Sequence, residues 1–393
     1  MSGKNQKIIK VMHIMKEYAN NEGILSVPAI ISCMFERYLK ETSNVVLVTR
    51  NIGSLSKSKA KVQEEGEIHP IIKHTPNLIS VLHKILSFKP DTVLIHQHLG
   101  SFFELFLQTA LKVLRVKTII GLDLVQEHFV SFKHKSFTEF IGAIKYYICI
   151  FLQLHLADRI FCRTKNEIDI ISSKMAISKN KYFVIPPGHD FEIEKQQKEN
   201  YILAVSGWWS DRKNLHTILR VFSEVIKKKE CKLVIVGEFF KGRYKILDEK
   251  GEMFTDKYET GEEYKQRIMR LIGELRLKDH IEFVGIKKGK ELQDIYKKAL
   301  IYYMPSKSEG FGMVWVEAMA SGTPIVAMPN SAVKYIVKDG ITGFLRDTPS
   351  GQKDAILKLL TDNELYAKMQ ENCLKEAEKY KWENIINKWK EVI

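Results

Sequence analysis

The sequence predicts an α/β chain made of two consecutive parallel-sheet halves. Three observations carry this. Short apolar runs alternate with amphipathic helical stretches along most of the 393 residues, with short links between them. The alternation breaks at Pro186-Pro187-Gly188 and at the polar run Glu192 to Asn200, which has no apolar residue after Ile193, and then restarts. In the second half, Ser306 to Ala327 reads as a glycine-bearing loop, a helix and a further strand, directly after an apolar strand.

Taken in order, Lys7–Ile14 reads as a strand, Ser26–Lys40 as a helix with one apolar face, and Asn44–Thr49 as a strand. Asn77–Ser87 is helical, Thr92–Gln97 a strand, Phe102–Leu114 a helix and Lys117–Leu122 a strand. Tyr147–His155 is helical, Arg159–Arg163 a strand, Asn166–Lys174 a helix and Tyr182–Ile185 a strand. The polar run 192–200 is the expected linker. Beyond it come strand Tyr201–Ser206, helix Asn214–Lys228 and strand Lys232–Gly237. The charged segment Glu238–Glu263 reads as a loop insertion with some structure. Helix Tyr264–Leu275, strand Ile281–Val284, helix Lys290–Ala299 and strand Ala299–Met304 follow. Ala332–Val337 and Thr342–Leu345 continue the domain, Lys353–Leu360 and Glu364–Tyr380 are helical, and Trp382–Val392 closes the chain. That last helix carries Trp382, Ile385, Ile386 and Trp389 on one face. The expected domains are residues 1–190, 191–380 and a closing helix, 381–393, packing back on the first. A ligand cleft is expected between the two halves.

Composition narrows the class. The chain is 45% apolar and 27% charged, as in soluble globular proteins. Its five cysteines are scattered, so neither a zinc site nor a disulfide framework is expected. The N-terminus lacks signal-peptide character, and the longest mainly apolar run, Tyr146–Leu154, is too short to span a bilayer. A cytoplasmic location is expected. Net charge is +14: to Asp190, 25 Lys+Arg against 16 Asp+Glu give +9, and the remaining 36 against 31 give +5. Such an excess attracts phosphorylated ligands or anionic lipid. No nucleic-acid-binding motif accompanies it, so nucleic acid is not an expected partner.

The chemistry concentrates in two segments. In Ser306–Ala327, Gly310 and Gly312 precede a helix over Met313–Ala320, which Gly322 stops. A helix start presents free N–H groups and a positive dipole end to an anion. Glu309 and Glu317 bracket it. A carboxylate beside an anion site suits a second task, accepting hydrogen bonds from sugar or ribose hydroxyls. In Ser206–Leu215, Arg212 and Lys213 stand together where a strand gives way to a helix, a forked and a point cation suited to a diphosphate.

Glu309-Gly-Phe-Gly, Glu317-Ala-Met-Ala and Gly322-Thr-Pro-Ile-Val together resemble the donor site of retaining nucleotide-sugar glycosyltransferases of family 4, also known as glycosyl transferases group 1. The resemblance implies the GT-B fold, two Rossmann-like domains facing across a deep cleft. It extends to Ala157–Ile160 with Thr164, to Pro186–Asp190, and to Val236-Gly237 and Val284-Gly285, the loops that hold the nucleotide base in the family. Many members carry an arginine five residues before the phosphate lysine. Here Trp208 stands at that place, and others put the arginine directly before the lysine, as in Arg212-Lys213. Trp208 and Trp209 are expected to close the domain edge rather than stack on a ring. Members often have paired glycines in the first strand-to-helix loop. This chain has only Gly23 there. Leu122 stands where members commonly place a histidine, leaving Asp123 and His128 as acceptor-side candidates, with His96 and His98 on the preceding strand.

The resemblance implies these roles. Arg212 and Lys213 hold the donor phosphates, and Glu309 holds sugar hydroxyls and shields the positive anomeric carbon. Glu317 grips the ribose. Gly23, Gly237, Gly285, Gly310, Phe311, Gly312, Met313 and Val314 contribute donor contacts. The donor is a UDP- or GDP-linked hexose, transferred with retention. With no Asp-x-Asp in the sequence, no metal and no cofactor are expected. Basic and aromatic residues interleave from Phe129 to Tyr147, which suggests a glycan, polyprenyl-phosphate-linked or other envelope acceptor and peripheral contact with the inner face of a membrane. Interdomain core is the competing reading of those aromatics. A disaccharide phosphorylase of the same fold and a non-catalytic nucleotide-sugar-binding paralogue remain open alternatives.

Overall fold

The computed structural model describes residues 9–17, 43–51, 71–74, 78–96, 102–121, 137–248, 254–330 and 332–393. Those residues form two compact units. The first runs to Pro187 and takes in Trp382–Ile393, and the second is Gly188–Lys381.

The first unit contains β1 (Ile9–Glu17), β2 (Ser43–Asn51), β3 (Ile71–His74), α1 (Leu78–Phe88), β4 (Thr92–His96) and α2 (Phe102–Val113). It continues with β5 (Lys117–Gly121), α3 (Phe137–Leu156), β6 (Arg159–Cys162), α4 (Lys165–Lys174) and β7 (Tyr182–Val184). The strands form one sheet in the order β3-β2-β1-β4-β5-β6-β7. All its pairs are parallel.

The second unit contains β8 (Glu199–Trp209), α5 (Leu215–Ile226), β9 (Lys232–Phe239), β10 (Arg243–Leu247), β11 (Phe254–Thr260), α6 (Gly261–Glu274) and β12 (Ile281–Gly285). Then follow α7 (Gly289–Lys298), β13 (Ala299–Met304), α8 (Met313–Ala320), β14 (Ile325–Ala327), β15 (Gly343–Leu345), α9 (Pro349–Thr361) and α10 (Asn363–Ala377). The chain ends with α11 (Trp382–Lys390), which belongs to the first unit. The second sheet runs β12-β9-β8-β13-β14-β15, again parallel. Numbered within its own sheet, this is 3-2-1-4-5-6, the order of the first sheet without its seventh strand. Both units are Rossmann-like, and the order reverses between the first and fourth strands of each.

Parallel strands are covered on both faces, so they read as continuous apolar runs. Val93, Leu94 and Ile95 are consecutive and all buried. Met12, Val93 and Ile95 pack with Val81, Ile85, Leu107 and Leu111 of α1 and α2. Val11, Leu94, Ile119 and Phe161 pack with Trp382, Ile385, Ile386 and Trp389 of α11. The Phe161 and Trp389 rings meet edge to face, 4.7 Å apart.

β3 was not anticipated. The charged insertion, read as a loop with some structure, contains an antiparallel hairpin, β10–β11. The polar run 192–200, the expected linker, is docked on the second unit. Gln293 donates to the Glu192 carbonyl at 2.9 Å, and the buried Lys297 pairs with Glu192 and Glu194 at 3.4 and 3.0 Å. Lys198 donates to the Ser321 carbonyl and the Thr323 hydroxyl, both at 2.9 Å. The helix expected over Ser26–Lys40 lies outside the described residues.

Candidate functional site

Where strand order reverses, consecutive loops leave toward opposite faces and open a crevice at the carboxyl edge of the sheet. In the second unit that place lies between β8 and β13. The loop after β8 carries Arg212 and Lys213, and the loop after β13 carries Glu309. The Lys213 Nζ and Glu309 Oε1 are 2.5 Å apart, with the Glu309 side chain 9% exposed and that of Lys213 14%. Burial alone would raise the Glu309 carboxyl. The Lys213 and Arg212 charges outweigh it and hold the group below the usual glutamate range.

The two loops are stitched together. The Lys307 amide donates to the Arg212 carbonyl at 2.9 Å. The Asn214 side chain donates to the Pro305 carbonyl at 3.0 Å, and Asn330 donates to the Ser306 carbonyl at 2.8 Å. Asn214 itself is left-handed, φ 60°, which ends the short turn at 211–213 and starts α5. Sequence reasoning passed over the centre of this web, Asp211. Its buried carboxylate accepts from Lys307 Nζ at 2.7 Å and Arg267 Nη2 at 3.2 Å. Arg267 also clamps Glu259 at 3.1 and 3.0 Å. The Tyr244 hydroxyl joins the hairpin to the loop, accepting from the Asp211 amide at 3.2 Å and donating to Glu259 at 2.8 Å. Burial opposes ionisation of Asp211, but Lys307 and its other cationic neighbours keep its carboxyl low. The partners lie up to 96 residues away in sequence, so no local pattern signals them.

α8 begins at Gly312, which caps it with φ 87°. A Cβ there would meet the Trp315 ring at 2.5 Å, so both the backbone angle and the space require glycine. Trp315, Val316, Ala318, Met319 and Ala320 are all buried, so the helix is a core element. Gly322 (φ 58°) ends it in a Schellman motif: Thr323 N–H donates to the Ala318 carbonyl and Gly322 N–H to that of Met319, both at 2.9 Å. Gly310, Met313 and Val314 are half-buried around the helix start. The Phe311 ring, by contrast, is buried against Tyr380 at 6.0 Å, so only its backbone can face a ligand.

Glu317 lies just over one turn into α8, beside the fully buried Tyr296. Burial pushes its carboxyl up to about 7, with the Tyr296 hydroxyl pulling slightly the other way. The two glutamates bracketing the helix tip are thus set apart, Glu309 ionised and Glu317 poised near neutrality.

Gly237 and Gly285 stand at the carboxyl ends of β9 and β12, on the same sheet edge, with φ of 115° and 70°. A Cβ on Gly237 would fall 1.6 Å from the Ser206 carbonyl oxygen, so β8 and β9 are in close backbone contact there. Trp209 closes the domain edge as expected, fully buried, with its indole N–H donating to the Val236 carbonyl at 3.1 Å. Trp208 is half-buried and meets Phe240 edge to face at 6.4 Å. Gly23, Leu122, Asp123, His128 and His98 lie outside the described residues, as does the His96 side chain.

Residues 188–376 match the family model described as glycosyl transferases group 1. The match covers the second unit. Among curated proteins, the chain is 37% identical over 109 residues to an uncharacterized glycosyltransferase of Methanocaldococcus jannaschii, covering 27% of this chain and 31% of that protein. It is 27% identical over 191 residues to the D-inositol 3-phosphate glycosyltransferase of Mycolicibacterium smegmatis, 49% of this chain and 42% of that protein. These matches thus span less than half the length of the curated relatives. Among solved structures, Anabaena HepE in complex with UDP superposes with a TM-score of 0.72 at 15% identity, covering 98% of this chain and 99% of that one. At that identity the likeness shows the fold alone, GT-B.

Proposed function

We propose that this chain is a glycosyltransferase that moves a hexose-type sugar from a nucleoside-diphosphate sugar to an acceptor hydroxyl. The observation that carries the reading is the pairing of Lys213 with Glu309, beside Arg212, across the switch point of the unit that matches glycosyl transferases group 1. UDP is the favoured nucleotide, because HepE is described in complex with UDP.

The chain's own residues divide the work. Arg212, Lys213 and the amides at the start of α8 neutralise the diphosphate as the bond from the anomeric carbon to the phosphate oxygen breaks. The nucleoside diphosphate leaves with the electron pair, and the acceptor oxygen bonds to the anomeric carbon. Its proton passes to the departing phosphate. Glu309 stays ionised through the step, so it holds sugar hydroxyls and offsets the positive charge at the anomeric carbon. Glu317 accepts from the ribose hydroxyls, and backbone near Gly237 and Gly285 meets the base. Because protein cations do the neutralising, we expect turnover without a divalent metal. Retention of configuration and a glycan or lipid-linked envelope acceptor, approached from a membrane surface, complete the proposal. Asp123 and His128 are the acceptor-side candidates.

The test is release of nucleoside diphosphate from a panel of UDP- and GDP-sugars, with and without EDTA. Release by wild type in EDTA, lost in Lys213→Ala, is expected. Sugar release that requires inorganic phosphate instead would assign a phosphorylase, and binding without release would assign a non-catalytic paralogue.

A further inference from the structure

The outer face of α2 and α3 is apolar and uncovered among the described residues. On α3, Ile141, Ile144, Ile148, Phe151 and Leu152 recur at helical spacing and are 36–53% exposed. On the neighbouring α2, Phe102, Phe106 and Val113 are 57–77% exposed. The opposite faces of both helices are properly buried, through Leu107 and Leu111 on α2 and Ile150 and Leu154 on α3. Large apolar side chains in this number exceed what a monomer normally leaves in water, where patches above a few hundred Å² mark interaction sites.

The face ends in positive charge. At the carboxyl ends of the two helices a hollow of about 480 Å³ is lined by Lys112, Arg115, Lys117 and Arg159, with Asp158 as its one carboxylate. Asp158 is already engaged, by Lys112 at 2.8 Å and by the Thr118 amide and hydroxyl at 2.8 and 3.1 Å. Lys117 donates to the carbonyls of Val392 and Ile393, and Arg159 lies over the Phe183 ring at 4.9 Å. The Arg115 side chain is exposed. Lys181 stands next to this group, closing the end of α3 through the His155 and Ala157 carbonyls at 2.6 and 2.8 Å. Burial and the neighbouring Arg159 charge both make Lys117 easier to deprotonate, as expected where cations crowd without enough anions. The apolar and cationic parts are continuous, since exposed Val113 and Leu114 sit between Lys112 and Arg115.

We propose that this face docks on an anionic phospholipid bilayer, its apolar helix surface at the acyl boundary and the Lys112–Arg115–Arg159 hollow on the headgroup phosphates. An apolar helical stripe with a basic rim is the pattern of interfacial binding. A bilayer satisfies both parts at once, whereas a soluble anion leaves the apolar stripe in water. The inference deepens the membrane-facing acceptor reading above. Vesicle binding needs no sugar transfer, so either can fail alone.

The experiment is co-sedimentation of the full chain with phosphatidylcholine vesicles and with vesicles one third phosphatidylglycerol. Binding to the anionic vesicles alone is expected, released by high salt. Arg115→Glu should weaken it about thirty-fold, and Ile148→Ser about ten-fold. Both positions are exposed, and UDP-induced thermal stabilisation should be unchanged in both variants. No binding at low salt, equal binding to neutral vesicles, or binding untouched by both substitutions would overturn the proposal. So would a concentration-dependent dimer in light scattering that Ile148→Ser dissolves, which would give the face to a second copy of the chain.

Discussion

Replacing Glu317 by glutamine should make the ligand-free protein more stable at neutral pH while weakening its hold on a nucleotide. Burial raises this carboxyl from its ordinary 4.5 to about 7. In the ionised form that is a cost of about 3 kcal/mol, and solvent at the edge of the half-buried residue reduces it to about 1–3 kcal/mol. Between about pH 4.5 and 7 the folded state keeps a proton that the unfolded chain has released. Stability from this group is therefore greatest at low pH, falls as pH rises through that window, and stays low above it. The Glu317→Gln variant has no such slope. Relative to wild type it should gain nothing near pH 4.5 and about 1–3 kcal/mol by pH 8. For a unit of this size that is a rise of roughly 4 °C in Tm. Thermal unfolding of both proteins from pH 5 to 8 measures the difference. At pH 8, where the wild-type carboxyl is ionised, UDP affinity should fall about ten-fold or more, because a charged acceptor for the ribose hydroxyls is gone. A variant less stable than wild type at pH 8, or a difference that ignores pH, would refute the reasoning.

Lys213→Ala leaves the Glu309 carboxylate buried without its closest cation, and should cost about 2–4 kcal/mol in urea unfolding at pH 7. Glu309 is a lowered carboxyl, so the stability it gains from its partner is present at neutral pH and fades as pH falls below the usual glutamate range; the penalty of the variant should shrink on acidification. Asp211→Asn removes the shared anion of Lys307 and Arg267, and should cost a similar amount and weaken UDP binding, measured by urea midpoint and titration. Gly237→Ala forces a Cβ to within 1.6 Å of the Ser206 oxygen at φ 115°, so a loss of about 3 kcal/mol or more, or failure to fold, is expected in thermal melts.

Much of the fold was legible because parallel strands buried on both faces leave runs such as Leu233–Val236, and because helices announce their ends. Gly312 and Gly322 bound α8 at the residues where the sequence put its limits. The closing helix shows its buried face as Trp382, Ile385, Ile386 and Trp389, a spacing that needs no tertiary information. β3 escaped because Ile71–His74 is four residues long and its support comes from β2, not from its own pattern. The β10–β11 hairpin escaped because Arg243 and Lys245 on one strand and Asp256, Lys257 and Glu259 on the other hide the alternation; its pairing is fixed instead by the Tyr244–Glu259–Arg267 contacts. Glu309, Glu317, Arg212 and Lys213 could be singled out as local motifs. Asp211 could not, since its meaning comes from Lys307 and Arg267, brought to it by two different parts of the fold.

The central claim is that the crevice between β8 and β13 holds a nucleoside diphosphate on Arg212, Lys213 and the start of α8. The most direct measurement is calorimetric titration of UDP and GDP into wild type and Lys213→Ala, in EDTA. The account predicts saturable binding of one nucleotide by wild type, weakened about ten-fold or more in the variant. Binding of neither nucleotide, or equal binding by both proteins, would contradict it.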